Sequence, residues 1–325
     1  LDPVVYLVER HFMIDVTMIK PKIILIALTI LTAIFFPYLA PYTALASEIL
    51  IFAIFAMAYD LVLGYAGMLS FGHAAFFGLG AYSTGIILIR VYPSVVLGLL
   101  AGVIISSLGA LLIGFLSIRR RGIYFTMVTL AFAQMFYFMA FKWTGLTGGD
   151  DGLQGVPRPS LGPLDLTSEL TLYYFILLIA IFSVVICFRV VNSPFGKTLQ
   201  ALRENRDRAM SIGYDVDKFK LIAFVISGFF SGLAGGLYAL LLNFVPLSSL
   251  YWTNSGEVVV MSIVGGMGTL FGPILGALGI ILLRDTLSNF TESWSLVMGI
   301  LFMASVMGFR GGIIGIIKDK LKLGV

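Results

Sequence analysis

The chain has 325 residues, of which 59% are hydrophobic and only 12% are charged. Because an ordinary soluble domain is about 25% charged, this composition leaves too little polar surface for a water-soluble fold and indicates a polytopic membrane protein. The net charge of +4 is small, and the basic residues cluster in short segments between apolar runs, which argues against a nucleic-acid-binding protein.

Nine apolar runs are long enough to cross about 30 Å of hydrocarbon as helices. They occupy residues 23–39, 45–63, 68–89, 94–116, 123–141, 170–188, 221–244, 258–283 and 296–317. The run at 258–283 contains a glycine cluster and Pro273, so it is either one kinked span or two half-spans. We therefore predict an all-α, polytopic transmembrane bundle of about nine to ten spans, with broken or half helices. Residues 1–20 form an N-terminal appendage, and residues 21–325 form a single transmembrane domain.

Clusters of lysine and arginine predict which ends of the spans face the cytoplasm, because cytoplasmic loops carry the excess of positive charge. One cluster is Arg119, Arg120 and Arg121, and the second lies in residues 190–220. Two spans separate the clusters, so both are cytoplasmic, and the acidic-leaning segment 142–169 between those spans is expected outside. Counting back places the N-terminus in the cytoplasm. Nine plain spans would leave the basic C-terminal tail outside, so we expect one more crossing where the interrupted run breaks.

The longest charge-dense stretch is SPFGKTLQALRENRDRAMSIGYDVDKFK, beginning at Ser193. Ser193 suits an N-cap and Pro194 a first helical residue, while Gly213 can end a helix and Asp215 can cap the next one. Four apolar residues recur at helical spacing: Phe195, Leu199, Leu202 and Met210. We predict one amphipathic helix from Pro194 to the turn at Gly213, serving as a docking element for a cytoplasmic partner. A solvated linker helix is the alternative.

Residues 64–73, GYAGMLSFGH, concentrate glycine and small polar residues between two spans that leave almost no room for a loop. Irregular backbone at this depth is tolerated only where it is buried in protein or lines a cavity. Broken helices of this kind offer N–H and C=O groups that suit a small zwitterion. Together with the second glycine cluster they give the candidates for a substrate path: Gly64, Gly67, Ser70, Gly72, His73, Gly265, Gly266 and Gly268.

Few ionisable residues fall within the apolar runs. An imidazole at membrane depth is costly, so His73 is either functional or a packing histidine that is hydrogen-bonded to a neighbouring carbonyl. Asp60 and Glu257 are the acidic residues nearest to the spans; either could line a path, and we favour the membrane interface for Glu257.

Motifs for catalysis and nucleotide binding are missing from the sequence. Gly196-Lys197-Thr198 resembles the end of a phosphate-binding loop, but Val191 stands where that loop requires glycine. The lone Cys187 allows neither an internal disulfide nor a cysteine metal site. We therefore predict no enzyme activity, no cofactor bound by this chain and no ATP hydrolysis by it.

Three blocks, in order, resemble the permeases of branched-chain amino acid ABC transporters, the LivH/LivM family. They are residues 64–82 (GYAGMLSFGHAAFFGLGAY), residues 193–238, which begin SPFGKTLQALRENRDRAMSIGYDVDKFK, and residues 257–276 (EVVVMSIVGGMGTLFGPILG). The middle block resembles the LivM branch more closely. Together the blocks cover about a quarter of the chain.

The resemblance implies a complex in the cell membrane of a prokaryote: this permease, a second homologous permease, two cytoplasmic ATP-binding subunits and an extracytoplasmic solute-binding protein. ATP is then used by the partner subunits, and no nucleic acid is involved. The implied solutes are leucine, isoleucine and valine, although urea and short-chain amide permeases share the same blocks. The family's coupling loop implies these coupling residues: Pro194, Gly196, Leu199, Leu202, Arg203, Glu204, Arg206 and Gly213.

Three other classes remain as rivals. An ion-coupled secondary transporter would need acidic residues deep in the spans, where Asp60 is the best candidate. An intramembrane enzyme would need a catalytic cluster, and a channel would suit a urea-like solute. Dependence of uptake on a co-expressed ATPase separates the ABC permease from all three.

Overall fold

The computed structural model describes residues 34–162, 164–290, 296, 297, 299, 300, 303 and 312–315. The chain divides into two units, Leu1–Ala46 and Ser47–Val325. The first unit includes a helical segment at 34–39 and the start of the first long helix. The predicted appendage at 1–20 lies outside the described residues.

The described residues form α-helices joined by turns and by one longer loop between α4 and α6, as predicted. The helices are α1 (Thr43–Asp60), α2 (His73–Ile86), α3 (Val95–Ser117), α4 (Ile123–Lys142), α5 (Thr144–Thr147), α6 (Glu169–Asn192), α7 (Pro194–Glu204), α8 (Arg206–Ser211), α9 (Val216–Leu242), α10 (Trp252–Gly265) and α11 (Gly272–Phe290). π-Helical turns continue α1 over Leu61–Tyr65 and α2 over Ile87–Val91.

Seven helical segments in the described part of the chain are long and apolar enough to span a membrane. They are Thr43–Tyr65, His73–Val91, Val95–Ser117, Ile123–Lys142, Glu169–Asn192, Val216–Leu242 and Gly272–Phe290. The predicted spans at 23–39 and 296–317 fall mostly outside the described residues, which accounts for the lower number. The run predicted at 258–283 is two helices, α10 and α11, that meet at the glycines, so the expected break is confirmed.

The core is built around α1, which is apolar on every face over residues 49–59 and buried over residues 51–62. A helix of this composition is stable only inside a bundle. Helices α2, α3 and α9 pack on one another through small residues. A Cβ on Gly232 of α9 would overlap Ser106 of α3, and one on Gly236 would come within 2.6 Å of Thr84 Oγ1 on α2. Gly232 and Gly236 of α9 therefore permit close helix packing.

The bundle of the second unit has two ends, named here by what lies there. At the α7 end, α7 and α8 lie beside the turn that follows α1 and the start of α9. At the loop end, residues 143–168 lie against the end of α9. Helix α10 starts at the loop end and runs to the α7 end, and α11 returns.

A long guanidinium side chain ties the loop to α9. Arg158 donates from Nε to the Leu240 carbonyl at 2.6 Å and from Nη2 to the Leu241 carbonyl at 2.5 Å. These are last-turn carbonyls with no partner inside their helix. Asn243 ends α9 with a positive φ of 59°, which suits asparagine. The loop is therefore an ordered cap on the helix end.

The charge-dense stretch forms two helices, which corrects the prediction of one amphipathic helix. Asn205 leaves the helical conformation at φ −153° and accepts a hydrogen bond from the Arg208 amide, so it ends α7 and caps α8. The change of direction leaves Met210 49% exposed, so it does not share a buried face with Leu199 and Leu202. The predicted caps are confirmed, because Ser193 accepts from the Gly196 amide and Asp215 from the Lys218 amide.

Candidate functional site

The segment between α1 and α2 is non-helical over residues 66–72, and its polar groups bond to side chains of other helices. The Ser70 amide donates to the Tyr59 hydroxyl at 3.3 Å, and the Phe71 amide donates to Thr129 Oγ1 at 3.3 Å. Ser70 Oγ accepts from the Gly72 amide at 3.2 Å. The predicted break is thus present, and its backbone is satisfied by protein, as a membrane interior requires.

His73 begins α2 and is completely buried. Its ring lies edge-on to Tyr59, Phe76 and Phe224, with centroids 4.7, 5.3 and 5.4 Å away. Its Nε2 lies 2.9 Å from Ser227 Oγ, which in turn donates to the Ala58 carbonyl. These surroundings favour the packing alternative for His73.

The second break lies between α10 and α11. Gly265 ends α10 where α11 passes so closely that a Cβ would overlap the Gly272 carbonyl. Gly266 and Gly268 have positive φ angles of 120° and 73°. Since side chains other than glycine's are strained there, these glycines allow the chain to reverse direction at the α7 end.

Asp60 joins the two breaks. It is 1% exposed, and both of its carboxylate oxygens accept from the Gly268 amide, at 3.0 and 3.1 Å. Gly64 lies one helical turn after Asp60, and a Cβ there would overlap both the Asp60 carboxylate and the Gly268 amide. The carboxylate is therefore a buried anchor between α1 and the α10–α11 turn.

Arg203, in the last turn of α7, reaches both breaks. Its Nη1 donates a hydrogen bond to the Gly64 carbonyl oxygen. Its Cγ lies 2.9 Å from the position that a Cβ on Gly67 would occupy, and its Nη1 lies 3.0 Å from the corresponding position on Gly268. The guanidinium also interacts electrostatically with the buried Asp60 carboxylate. We call Arg203, Gly64, Gly67, Gly268 and Asp60 the coupling site.

Helix α7 is held on the bundle by one apolar face. Leu199 and Leu202 are 1% and 2% exposed, and Phe195 stacks on Phe219 of α9 at 5.7 Å. A Cβ on Gly196 would overlap the last carbonyls of α6. Because glycine has no Cβ, the first turn of α7 can pack directly against the end of α6. The apolar face of this amphipathic helix thus holds α7 in place, and Arg203 extends from α7 towards the helix breaks.

The other face of α7 and α8 points away from the bundle. Glu204 is exposed, and Gly213 has a positive φ of 93° with open space around its Cβ position. Arg206 forms an ion pair with Asp217 in the first turn of α9 at 2.9 Å. Ile212 is 71% exposed and Tyr214 is 44% exposed. Charged and apolar groups therefore share a surface that a partner could cover.

The structure brings together only some of the predicted site residues. Gly64, Gly67 and Gly268 meet Arg203, whereas Ser70, Gly72 and His73 lie deeper, among side chains of α1, α4 and α9. The sequence analysis did not join Asp60 to this site. The four-residue spacing of Asp60 and Gly64, which puts them on one helix face, was the available signal.

No metal site supplements these groups in the part of the chain that the structure describes, where no three or more histidine, cysteine, aspartate or glutamate residues cluster suitably. What the coupling site can do is mechanical, since it links the position of α7 to two helix breaks.

A profile of the family described as "Branched-chain amino acid transport system / permease component" matches residues 42–306. The chain is 29% identical over 340 residues to the high-affinity branched-chain amino acid transport system permease protein LivM of Salmonella typhimurium and to that of Escherichia coli, covering 95% of this chain and 79% of each relative. It is 29% identical over 145 residues to the "Probable branched-chain amino acid transport permease protein LivH" of Methanocaldococcus jannaschii, covering 40% of this chain and 44% of that relative. No solved structure matches the chain.

Proposed function

This chain belongs to the family of permease components of branched-chain amino acid transport systems, and on that premise we propose that it forms the membrane path of an importer for leucine, isoleucine and valine. Permeases of this family are multi-pass membrane subunits and not enzymes. The family indicates that the transported solute is an amino acid. The assignment of leucine, isoleucine and valine as the solutes of this chain is our proposal.

Membership of an ABC permease family implies ATPase and solute-binding partners. In our proposal these are two cytoplasmic ATP-binding subunits, which use the ATP, a second homologous permease and an extracytoplasmic solute-binding protein. The complex lies in the cell membrane of a prokaryote, and no cofactor is held by this chain.

The α7 end is then the cytoplasmic end, and the N-terminus is cytoplasmic too. Both basic clusters support this orientation, because Arg121 lies close enough to Lys220 to interact with it electrostatically, beside α7 and α8. The loop, described over residues 143–162 and 164–168, consequently faces outwards, towards the solute-binding protein.

The mechanism we propose is alternating access driven through α7 and α8. Closure of the ATP-binding subunits presses on the outward face of these helices and on the turn after them, where Ile212 and Tyr214 are exposed. Because Leu199 and Leu202 fix α7 to the bundle, the movement carries Arg203 with it. Arg203 then shifts the turn after α1 and the α10–α11 turn together.

The observation that carries this proposal is that Arg203, although partly exposed, bonds to the Gly64 carbonyl and lies beside Gly268. A solvated linker helix would have no reason to place a guanidinium on two helix breaks. An ion-coupled carrier would have no use for the docking surface on α7 and α8.

Reconstitution in proteoliposomes tests the function. We expect ATP-dependent uptake of leucine when this chain, the second permease, the ATP-binding subunits and loaded binding protein are all present. Isoleucine and valine should compete with leucine, and urea and acetamide should not. Uptake that continues without the ATP-binding subunits, or uptake of urea in place of leucine, would overturn the proposal.

A further inference from the structure

Three charged side chains meet near the loop end, away from the coupling site. Arg284 of α11 forms ion pairs with Glu48 of α1 through Nη2, at 2.5 Å, and with Glu257 of α10 through Nη1, at 3.2 Å. We call Glu48, Glu257 and Arg284 the charged triad.

The charged triad lies inside the helices and not at their tips. Glu48 comes five residues after the start of α1, Glu257 five residues after the start of α10, and Arg284 six residues before the end of α11. These spacings correspond to about 8 Å along each helix. Phe52 and Tyr238 lie behind the triad: the Arg284 guanidinium is 5.9 Å from the Phe52 ring, and the Tyr238 hydroxyl interacts electrostatically with all three charges.

The triad is not sealed within this chain. The side chains of Glu48, Arg284 and Glu257 are 19%, 23% and 26% exposed, whereas Asp60 is 1% exposed as a residue. A charged group at this depth is expensive in contact with lipid, so it faces protein or a water-filled path. The exposed side of the triad is therefore covered by something other than hydrocarbon.

The charge balance of the triad leaves room for a cation. Two carboxylates share one guanidinium, so the group carries one excess negative charge. The guanidinium has five N–H donors, and the two carboxylates occupy one donor nitrogen each. Donors for a further carboxylate and an acceptor for an ammonium group are thus present side by side.

A partly exposed stripe of side chains continues along α10 from the triad towards the coupling site. Val260 and Val264 follow Glu257 at helical spacing on α10 and are likewise partly exposed. The stripe ends at the turn that holds Gly268, where Asp60 and Arg203 meet the backbone. An apolar wall thus joins the triad to the coupling site.

We propose that Glu48, Glu257 and Arg284 form a binding site for the α-ammonium and α-carboxylate groups of a zwitterionic amino acid, on the loop side of the transport path. This inference rests on the proposed function and adds to it the recognition chemistry within the permease. The excess carboxylate binds the ammonium, Arg284 binds the carboxylate, and the apolar side chain lies against the valine stripe. Such a site would distinguish amino acids from urea and neutral amides.

Direct binding to the detergent-purified complex, without the solute-binding protein, tests the site. The probes are leucine, leucinamide, which lacks the carboxylate, and 4-methylpentanoate, which lacks the ammonium, each measured by equilibrium dialysis. We expect the unaltered complex to bind leucine at least tenfold more tightly than either analogue. Glu257→Gln should bind leucine and 4-methylpentanoate equally, and Arg284→Gln should bind leucine and leucinamide equally.

The matched control is Glu169→Gln, which removes an exposed carboxylate at the start of α6, also at the loop end. It should leave all three affinities within twofold of the unaltered complex. A purely structural ion pair would change assembly but not the ranking of the probes, so an unchanged ranking in Glu257→Gln overturns the proposal. Loss of the second permease from the Glu257→Gln complex on size exclusion also overturns the proposal, because it shows that in the unaltered complex this carboxylate pairs with a cation of that partner.

Failure of this site leaves the proposed function standing, because ATP-dependent leucine uptake by the unaltered complex is measured separately. If that complex takes up leucine with ATP but binds all three probes equally, only the charged triad loses its role. If either glutamine variant does not assemble, Glu48→Gln is measured in its place. The expected result is the one given for Glu257→Gln. If Glu48→Gln does not assemble either, the triad serves packing, and the proposal is overturned.

Discussion

The guanidinium of Arg203 donates a hydrogen bond to the carbonyl oxygen of Gly64, although 139 positions separate the two residues in the chain. This bond connects a surface helix to the point at which the buried α1 stops being regular. The same nitrogen lies beside Gly268, so a single side chain contacts the ends of two interrupted helices. In the mechanism we propose, a displacement of α7 is therefore transmitted to both breaks at once.

Arg203→Ala is predicted to uncouple ATP hydrolysis from transport. Alanine removes the contact to both breaks but keeps Leu199 and Leu202, which hold α7 on the bundle. We expect leucine uptake per ATP hydrolysed to fall at least tenfold in proteoliposomes, with the complex still assembled. The double reversal Arg203→Glu with Arg206→Glu should uncouple at least as strongly.

An arginine outside the coupling residues serves as the control for that experiment. Arg119→Ala removes a guanidinium that packs over the Phe115 ring at 5.2 Å and should leave the ratio unchanged. Normal coupling in Arg203→Ala would mean that the α7 contact does not transmit movement.

Local rules predicted the helices well, because caps and periodicity are short-range properties. Ser193 and Asp215 cap the helices expected of them, and the glycines divide α10 from α11 as expected. The site depends on contacts between distant positions, such as Asp60 with Gly268 and Glu48 with Arg284. No pattern within a short window determines which charges meet, so the sequence named Arg203 and Gly64 but could not pair them.

Gly64→Ala is predicted to destabilise the permease. Its Cβ would overlap the Asp60 carboxylate and the Gly268 amide, and overpacking of this kind costs about 1–3 kcal/mol. Gly279→Ala is the matched control, because nothing lies within 4 Å of its Cβ position on α11. There we expect no loss or a gain of up to about 1 kcal/mol from helix propensity. Thermal unfolding of the purified protein compares them, and equal midpoints would contradict the overlap at Gly64.

Asp60→Ala is predicted to loosen the α10–α11 turn. The change leaves the Gly268 amide without its acceptor, and an unsatisfied buried donor costs about 1–3 kcal/mol. Asp60→Asn keeps one acceptor oxygen and should cost less. The measurement is hydrogen exchange at the Gly268 amide, which should be fastest in the alanine variant and intermediate in the asparagine variant. Identical exchange at the Gly268 amide in the unaltered protein and in both variants would show that Asp60 does not anchor the turn.

Ser227→Ala is predicted to affect folding more than transport. Ser227 bonds both to His73 Nε2 and to the Ala58 carbonyl, so its removal leaves the buried His73 nitrogen unpaired and takes the side-chain donor from the carbonyl. We expect a loss of about 1–3 kcal/mol in unfolding free energy. The KM for leucine, measured on the variant complex that assembles, should stay within twofold. A large change in KM with unchanged stability would instead place His73 on the path, the other role that its sequence context allows.

Arg158→Ala is predicted to free the loop from the end of α9. Arg158 donates to the Leu240 and Leu241 carbonyls, and bonds from a charged donor contribute about 1.5–3 kcal/mol each when well formed. The reporters are the Leu153 and Val245 amides, which bond to each other's carbonyls across the contact at 3.0 and 2.9 Å. Their hydrogen exchange should accelerate at least tenfold, since a loss of about 1.4 kcal/mol is already a factor of ten in an opening equilibrium. Arg90→Ala, which removes exposed bonds to Gly145 and Leu146 at the same end, should leave these two amides unchanged. Equal exchange in both variants would show that the loop is held by its apolar residues alone, without the arginine.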